Sequence, residues 1–176
     1  VAIGETGLDY YRDYVDRSQQ RAAFRDQLEL ARQFGLPVII HMRGDVEHEI
    51  VSTLEDFRDV RVLFHSFDGS ARLRDIVLER GDVFGIGGLM TRASSVGLRE
   101  TLKSVPLSSF VLETDAPYLV PKGVKDRRNT SASIPIIGAA LAEILEVSVK
   151  EVAQRTTRNA DALFAARPAI LSGAAG

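Results

Sequence analysis

The feature that most limits what this chain can fold into is the alternation of short, largely apolar runs with amphipathic helical segments. LPVIIH (36–41), VRVLFH (60–65), DVFGIGG (82–88) and SSFVLETD (108–115) are short and rich in β-branched and aromatic residues, so they read as strands covered on both faces. The opening run VAIGE (1–5) reads the same way. Between the runs lie helices. In 17–35 the residues Ala23, Phe24, Leu28, Ala31 and Phe34 fall at helical spacing, and Gly35 is a good stop. Further helices are predicted over 44–57, 70–81 and 95–105, the last ending before Pro106. The remainder reads as helix at about 131–146 and 148–165, with Pro135 in or near a first turn, and 167–176 as a frayed tail. Buried strands that alternate with helices are β/α units, which pair in parallel and place helices outside the sheet.

Composition excludes several classes. The 176 residues suggest one domain or a large piece of one, and 45% hydrophobic with 26% charged residues argues against disorder. A net charge of −2 gives no global positive field, although a local basic patch can still hold a few phosphates. There is no cysteine, so disulfides and thiolate metal sites are impossible, which fits a reducing compartment. No apolar run approaches the length of a membrane span and no signal peptide is visible, so no membrane partner and a cytoplasmic location are expected.

Four of the five runs end on a side chain competent to bind metal: Glu5, His41, His65 and Asp115. In a parallel sheet the C-terminal strand ends share one face, and in a β/α barrel that face carries the active site. A lone histidine or acid at a strand end is usually a rim residue or a helix cap. Two of each at equivalent ends point to a site. Imidazole nitrogen and carboxylate oxygen without sulfur suit Zn, Mn or Mg. His48, between Glu47 and Glu49 in a predicted helix, reads as a surface residue.

The stretches GETGLDYY (4–11), Gln20 with Phe24, GLPVIIHMR (35–43), FHSFDGS (64–70), LETDAPYL (112–119), RRN (127–129) and TTRNADALF (156–164), in this order and spacing, resemble the TatD-related metal-dependent hydrolases among the amidohydrolase-like barrels. The resemblance implies a TIM-type (β/α)8 barrel, of which residues 1–166 supply about five C-terminal β/α units. It also implies three strands ahead of Val1, the first bearing a His-x-His pair that appears nowhere in the 176 residues. The implied activity is hydrolysis of DNA phosphodiester bonds, at single strands or ends, with one or two divalent ions. By position Glu5 resembles a carboxylate shared between two metals, and His41 and His65 resemble histidine ligands. Asp115 resembles the acid that binds metal and acts on the attacking water, so Asp115 and Glu5 are the expected catalytic residues. Arg43, Arg128, Asn129 and Tyr10 are the expected substrate contacts, with Lys122, Lys125 and Arg127 as a basic loop and Tyr11 and Tyr118 as further aromatic candidates. Met42, Ser66 and Thr130–Ser131 depart from the family's usual serine, cysteine and Glu-Pro. A metal-dependent ester or amide hydrolase, such as a D-aminoacyl-tRNA deacylase, and an inactive fragment serving as a binding module are the alternatives.

Overall fold

Strands and helices alternate as the apolar runs require. A computed structural model describes residues 1–12 and 14–165. The expected domain end at 166 and the tail at 167–176 lie outside them. The elements are β1 (Ile3–Asp9), α1 (Arg17–Phe34), β2 (Val38–Arg43), α2 (Glu47–Glu55), β3 (Val62–Phe64), α3 (Ala71–Arg80), β4 (Val83–Ile86), α4 (Val96–Lys103), β5 (Phe110–Leu112), α5 (Ile134–Leu145) and α6 (Val149–Phe164). The chain divides into two compact units: Val1–Phe64 with the end of α6 from Ala162 onward, and His65–Asp161.

In the first unit β1 pairs in parallel with β2, and β2 with β3. β3 is buried throughout, as expected for a strand covered on both faces. β2 buries Val38 and Ile40 on one face while Ile39 and His41 on the other are half-buried, and β1 buries only Leu8. α1 buries Phe24, Leu28 and Ala31 and packs on β1. The Asp16 carboxylate accepts from the Ser18 N–H at 2.8 Å to cap its start, and Gly35 in the left-handed conformation closes its end. The Ser18 hydroxyl also donates to this carboxylate, and that bond, with the one from the Ser18 N–H, holds the Asp16 carboxyl below its ordinary pKa.

The second unit pairs β4 with β5, Phe84 opposite Phe110 and Ile86 opposite Leu112. Its core is a chain of rings: Phe67 to Phe84 at 4.3 Å between centroids and Phe84 to Phe110 at 6.2 Å. Leu98 and Leu102 of α4 and Ile137 and Leu141 of α5 complete it. Pro135 sits in the first turn of α5, where its missing N–H costs nothing. The Asn159 side-chain amide of α6 donates to the Leu107 and Phe110 carbonyls at 3.0 and 2.7 Å, so the asparagine of the closing TTRNADALF stretch serves to tie α6 to the start of β5.

Strand boundaries differ from expectation in ways that matter for the site. The first strand does not end at Glu5. After an irregularity between Ile3 and Thr6 the ladder resumes and runs to Asp9, which lies opposite Arg43. Gly7 permits this: its φ is +145°, and a Cβ there would stand 2.0 Å from the His41 carbonyl oxygen. β2 likewise continues past His41 to Arg43. β5 begins later and stops earlier than 108–115, because residues 107–109 form a 3₁₀ turn after Pro106 and the backbone turns left-handed at Asp115 (φ +57°).

Two substitutions test this account. Gly7→Ala is expected to lower unfolding stability by more than about 1 kcal/mol, because both its φ and its space exclude a side chain. Gly97→Ala, in α4 with nothing within 4 Å of an added Cβ, is expected to raise it by about 0.5–1 kcal/mol. Urea denaturation of both variants checks the pair.

Candidate metal centre

Each unit carries one histidine set between two acids. In the first unit the imidazole of His41 stands between two carboxylates of β1, with Nδ1 3.6 Å from Glu5 Oε2 and Nε2 3.6 Å from Asp9 Oδ2. The register places Gly7 opposite His41, with Glu5 and Asp9 two residues to either side. An open cleft of about 510 Å³ is lined in part by Glu5, Gly7, Asp9, Gln20 and His41. Asp9 is held from α1: its N–H donates to Gln20 Oε1 at 2.8 Å, and Gln20 Nε2 donates back to the Asp9 carbonyl at 3.2 Å. The second oxygen of the Asp9 carboxylate accepts from the N–H groups of Tyr11 and Arg12, both at 3.0 Å. One side chain therefore faces His41 and also shapes the loop that follows β1.

In the second unit His65 directly follows β3, with Nδ1 2.9 Å from Glu113 Oε2 and Nε2 3.5 Å from Asp115 Oδ1. Glu113 is clamped at both oxygens, since its Oε1 accepts from the Ser66 N–H at 2.6 Å. Space for it is left by Gly85 of β4, where a Cβ would fall 2.1 Å from Glu113 Oε2. Ser66 and Asp115 both adopt positive φ, +53° and +57°. A non-glycine residue in that region costs about 1–3 kcal/mol and persists where its surroundings over-determine it. Ser66 makes its contact through the backbone, so serine in place of cysteine leaves that contact unchanged.

The chemistry of this donor set fits a divalent cation. His65 Nδ1 lies against Glu113 and Nε2 against Asp115, so an imidazole nitrogen and a carboxylate oxygen, both ligand atoms for such an ion, stand 3.5 Å apart. Imidazole and carboxylate ligands without sulfur match Zn, Mn or Mg, and an imidazole whose other nitrogen is fixed by a carboxylate is the arrangement that orients metal-binding histidines.

The remaining expected residues divide. Arg43 is exposed at the end of β2, with its guanidinium 4.4 Å from the ring centroid of Tyr11. Arg128 is exposed, as are Lys122, Lys125 and Arg127. Tyr10 and Asn129 have hydrogen-bond partners within the protein. The Tyr10 hydroxyl donates to Glu49 Oε2 at 2.7 Å and accepts from Arg21 Nη1 at 3.1 Å, and its ring lies 4.3 Å from the Arg17 guanidinium. Burial, and then the bond to Glu49, push that phenol above its ordinary pKa, so it stays a donor. Asn129 is only 3% exposed. Its amide donates to the carbonyls of Thr114 at 2.7 Å and Leu119 at 3.3 Å, and its oxygen accepts from the Thr130 N–H at 2.9 Å. It holds the loop after β5 together. His48 is exposed, as read from the sequence.

Asp9 and Glu113 were not singled out from sequence, although both sit inside quoted motifs. The available signal was spacing. Each lies an even number of residues from an expected ligand (Asp9 four from Glu5, Glu113 two from Asp115), and residues two apart on extended chain share a side. Gly85→Ala is expected to push Glu113 off His65 and to weaken Zn affinity by about 10–100-fold, the usual cost of losing such a support. Competition against a chromogenic chelator would measure it, and Glu113→Gln should show a loss in the same range.

Comparison with known proteins identifies the family. The family described as TatD related DNase matches residues 1–165. The uncharacterized metal-dependent hydrolase YabD of Bacillus subtilis is 34% identical over 166 residues, covering 93% of this chain and 65% of that protein. The 3'-5' ssDNA/RNA exonuclease TatD of Edwardsiella piscicida is 35% identical over 171 residues, with 93% and 65% covered. The crystal structure of the TatD homolog YJJV from Escherichia coli K12 superposes with a TM-score of 0.86 at 30% identity, covering 95% of this chain and 64% of that one. The fold class is therefore α/β, with the parallel strands and alternating helices of TatD barrels. The chain spans about 65% of the length of these curated relatives.

Proposed function

The chain belongs to the TatD-related DNase family, and on that premise we propose that it acts as a divalent-metal-dependent hydrolase cleaving phosphodiester bonds of nucleic acid with an activated water. The observation that carries the reading is the placing of each of two strand-end histidines between two acids, His41 with Glu5 and Asp9, His65 with Glu113 and Asp115. Glu5, His41, His65 and Asp115 are the residues proposed to hold one or two ions of Zn, Mg or Mn. A metal bound there lowers the pKa of its water toward neutrality and supplies a nucleophile.

The rest of the work belongs to the protein's own side chains. Glu113 fixes the tautomer of His65 by accepting its Nδ1–H, which leaves Nε2 as the ligand atom. The Asp115 carboxylate accepts the proton of the attacking water. Arg43 and Arg128 oppose the charge that grows on the phosphoryl oxygens. The exposed cations of 122–128 suit a phosphate backbone near the reacting group.

Single-stranded DNA or a strand end is the proposed substrate. It is supported by the relative named a 3'-5' ssDNA/RNA exonuclease. No single helix among the described residues is long and apolar enough to cross a membrane. The absence of cysteine fits the reducing cytoplasm, which is the proposed location.

The test is hydrolysis of an end-labelled single-stranded oligonucleotide by the full-length protein. EDTA should abolish cleavage, and added Zn, Mn or Mg should restore it. Asp115→Ala should lower kcat by about a hundredfold or more while leaving the circular dichroism spectrum unchanged. Cleavage that survives both treatments would refute the proposed role.

A further inference from the structure

We infer that Tyr11 and Arg43 form a stacking platform for one unpaired nucleobase of the substrate strand, placed beside the metal centre by Asp9. This rests on the nucleic-acid reading above and adds to it the feature of the substrate that the first unit recognises.

The three tyrosines that follow β1 have different surroundings. Tyr10 is committed, with its hydroxyl bound to Glu49 and Arg21 and its ring under Arg17. Tyr11 is 71% exposed and its ring meets the Arg43 guanidinium at 4.4 Å. Tyr14 is 81% exposed, with Arg12 farther off at 5.9 Å. With one face toward Arg43, so exposed a ring still has surface on which a base can stack. Arg43 is exposed at the end of β2, where its guanidinium can meet an anion.

Two independent constraints hold the pair in place. The ladder carries β1 to Asp9 opposite Arg43, and the Tyr10 N–H then donates to the Arg43 carbonyl at 2.9 Å, which brings the backbone leaving β1 alongside the end of β2. The Asp9 carboxylate accepts from the Tyr11 and Arg12 N–H groups through Oδ1 while Oδ2 faces His41 Nε2 at 3.6 Å. The residue that faces the candidate ligand His41 is thus also the residue that turns Tyr11 outward. The ring and guanidinium match the two repeating chemistries of a single strand, a flat base and an anionic phosphate. Stacking reads no base edge, so the platform should accept any base.

The probes are two fluorescein-labelled phosphorothioate 12-mers, which resist cleavage. One is oligothymidine; the other carries the same backbone with abasic sites throughout. Their Kd values for the full-length protein are measured by anisotropy with Mg²⁺ present. The wild type is expected to bind the base-bearing strand roughly 5–50-fold more tightly than the abasic one, the size of one stacking contact. Tyr11→Ala should bring the ratio near one, and Tyr11→Phe should restore it, since the ring and not the hydroxyl does the stacking. An unfolded Tyr11→Ala would be recognised by circular dichroism, and Tyr11→Leu then takes its place. If Tyr11→Ala keeps the wild-type ratio, or if the wild type binds both strands alike, the platform is overturned while the nuclease reading stands. If the wild type binds neither strand, the platform falls together with the nucleic-acid reading.

Discussion

The buried face of a strand has no room for a polar side chain, and that constraint organises this protein. Val38, Ile40, Val62, Phe64, Phe84 and Phe110 are buried to within a few per cent or less. An unpaired charge among them would cost several kcal/mol. The charged and imidazole groups therefore sit either on the open faces of β1 and β2, as Glu5 and His41 do, or where strands leave the core, at Asp9 and Arg43, just past β3 at His65, and past β5 at Glu113 and Asp115. What looks like a designed constellation follows first from the solvation of apolar strands, and only then from chemistry.

The same motif is built twice from different local parts. His41 is bracketed by acids on the neighbouring strand, and a glycine opposite it lets the backbones close. His65 is bracketed by two acids that leave β5, and a glycine on β4 makes room for one of them. In both, the glycine supplies space: 2.0 Å from a carbonyl oxygen at Gly7 and 2.1 Å from a carboxylate oxygen at Gly85. In both, one acid is also bonded to backbone N–H groups, Asp9 to Tyr11 and Arg12 and Glu113 to Ser66. Carboxylates fixed in this way orient their histidines with little freedom left to lose, which is what a centre of defined geometry requires.

Much of this was legible in the sequence and some of it was not. The helices over 70–81 and 95–105 came within a few residues of α3 and α4, because Ser70 caps one start and Gly81 and Pro106 mark the stops. The strand ends were less legible. Glu5 is not a terminus, since a ladder irregularity and a bare glycine carry β1 on to Asp9, and neither appears in a hydropathy pattern. Tyr10 and Asn129 read as substrate contacts because they lie in the right motifs. Folding gives Tyr10 to Glu49 and Arg21 and Asn129 to three backbone groups, partners between 1 and 39 residues away in sequence.

The sequence by itself determined the β/α alternation, the parallel pairing that follows from it, the chemical type of the donor set, and the family, because these depend on residue identity and on periods of two and 3.6. Tertiary structure alone decided which acid faces which imidazole nitrogen, which glycine makes the room, and which tyrosine stays in water. Those are distances between strands and helices far apart in the chain. A carboxylate is oriented by a backbone N–H or a missing Cβ that no local pattern records, and such contacts exist only once the apolar strands have closed on one another.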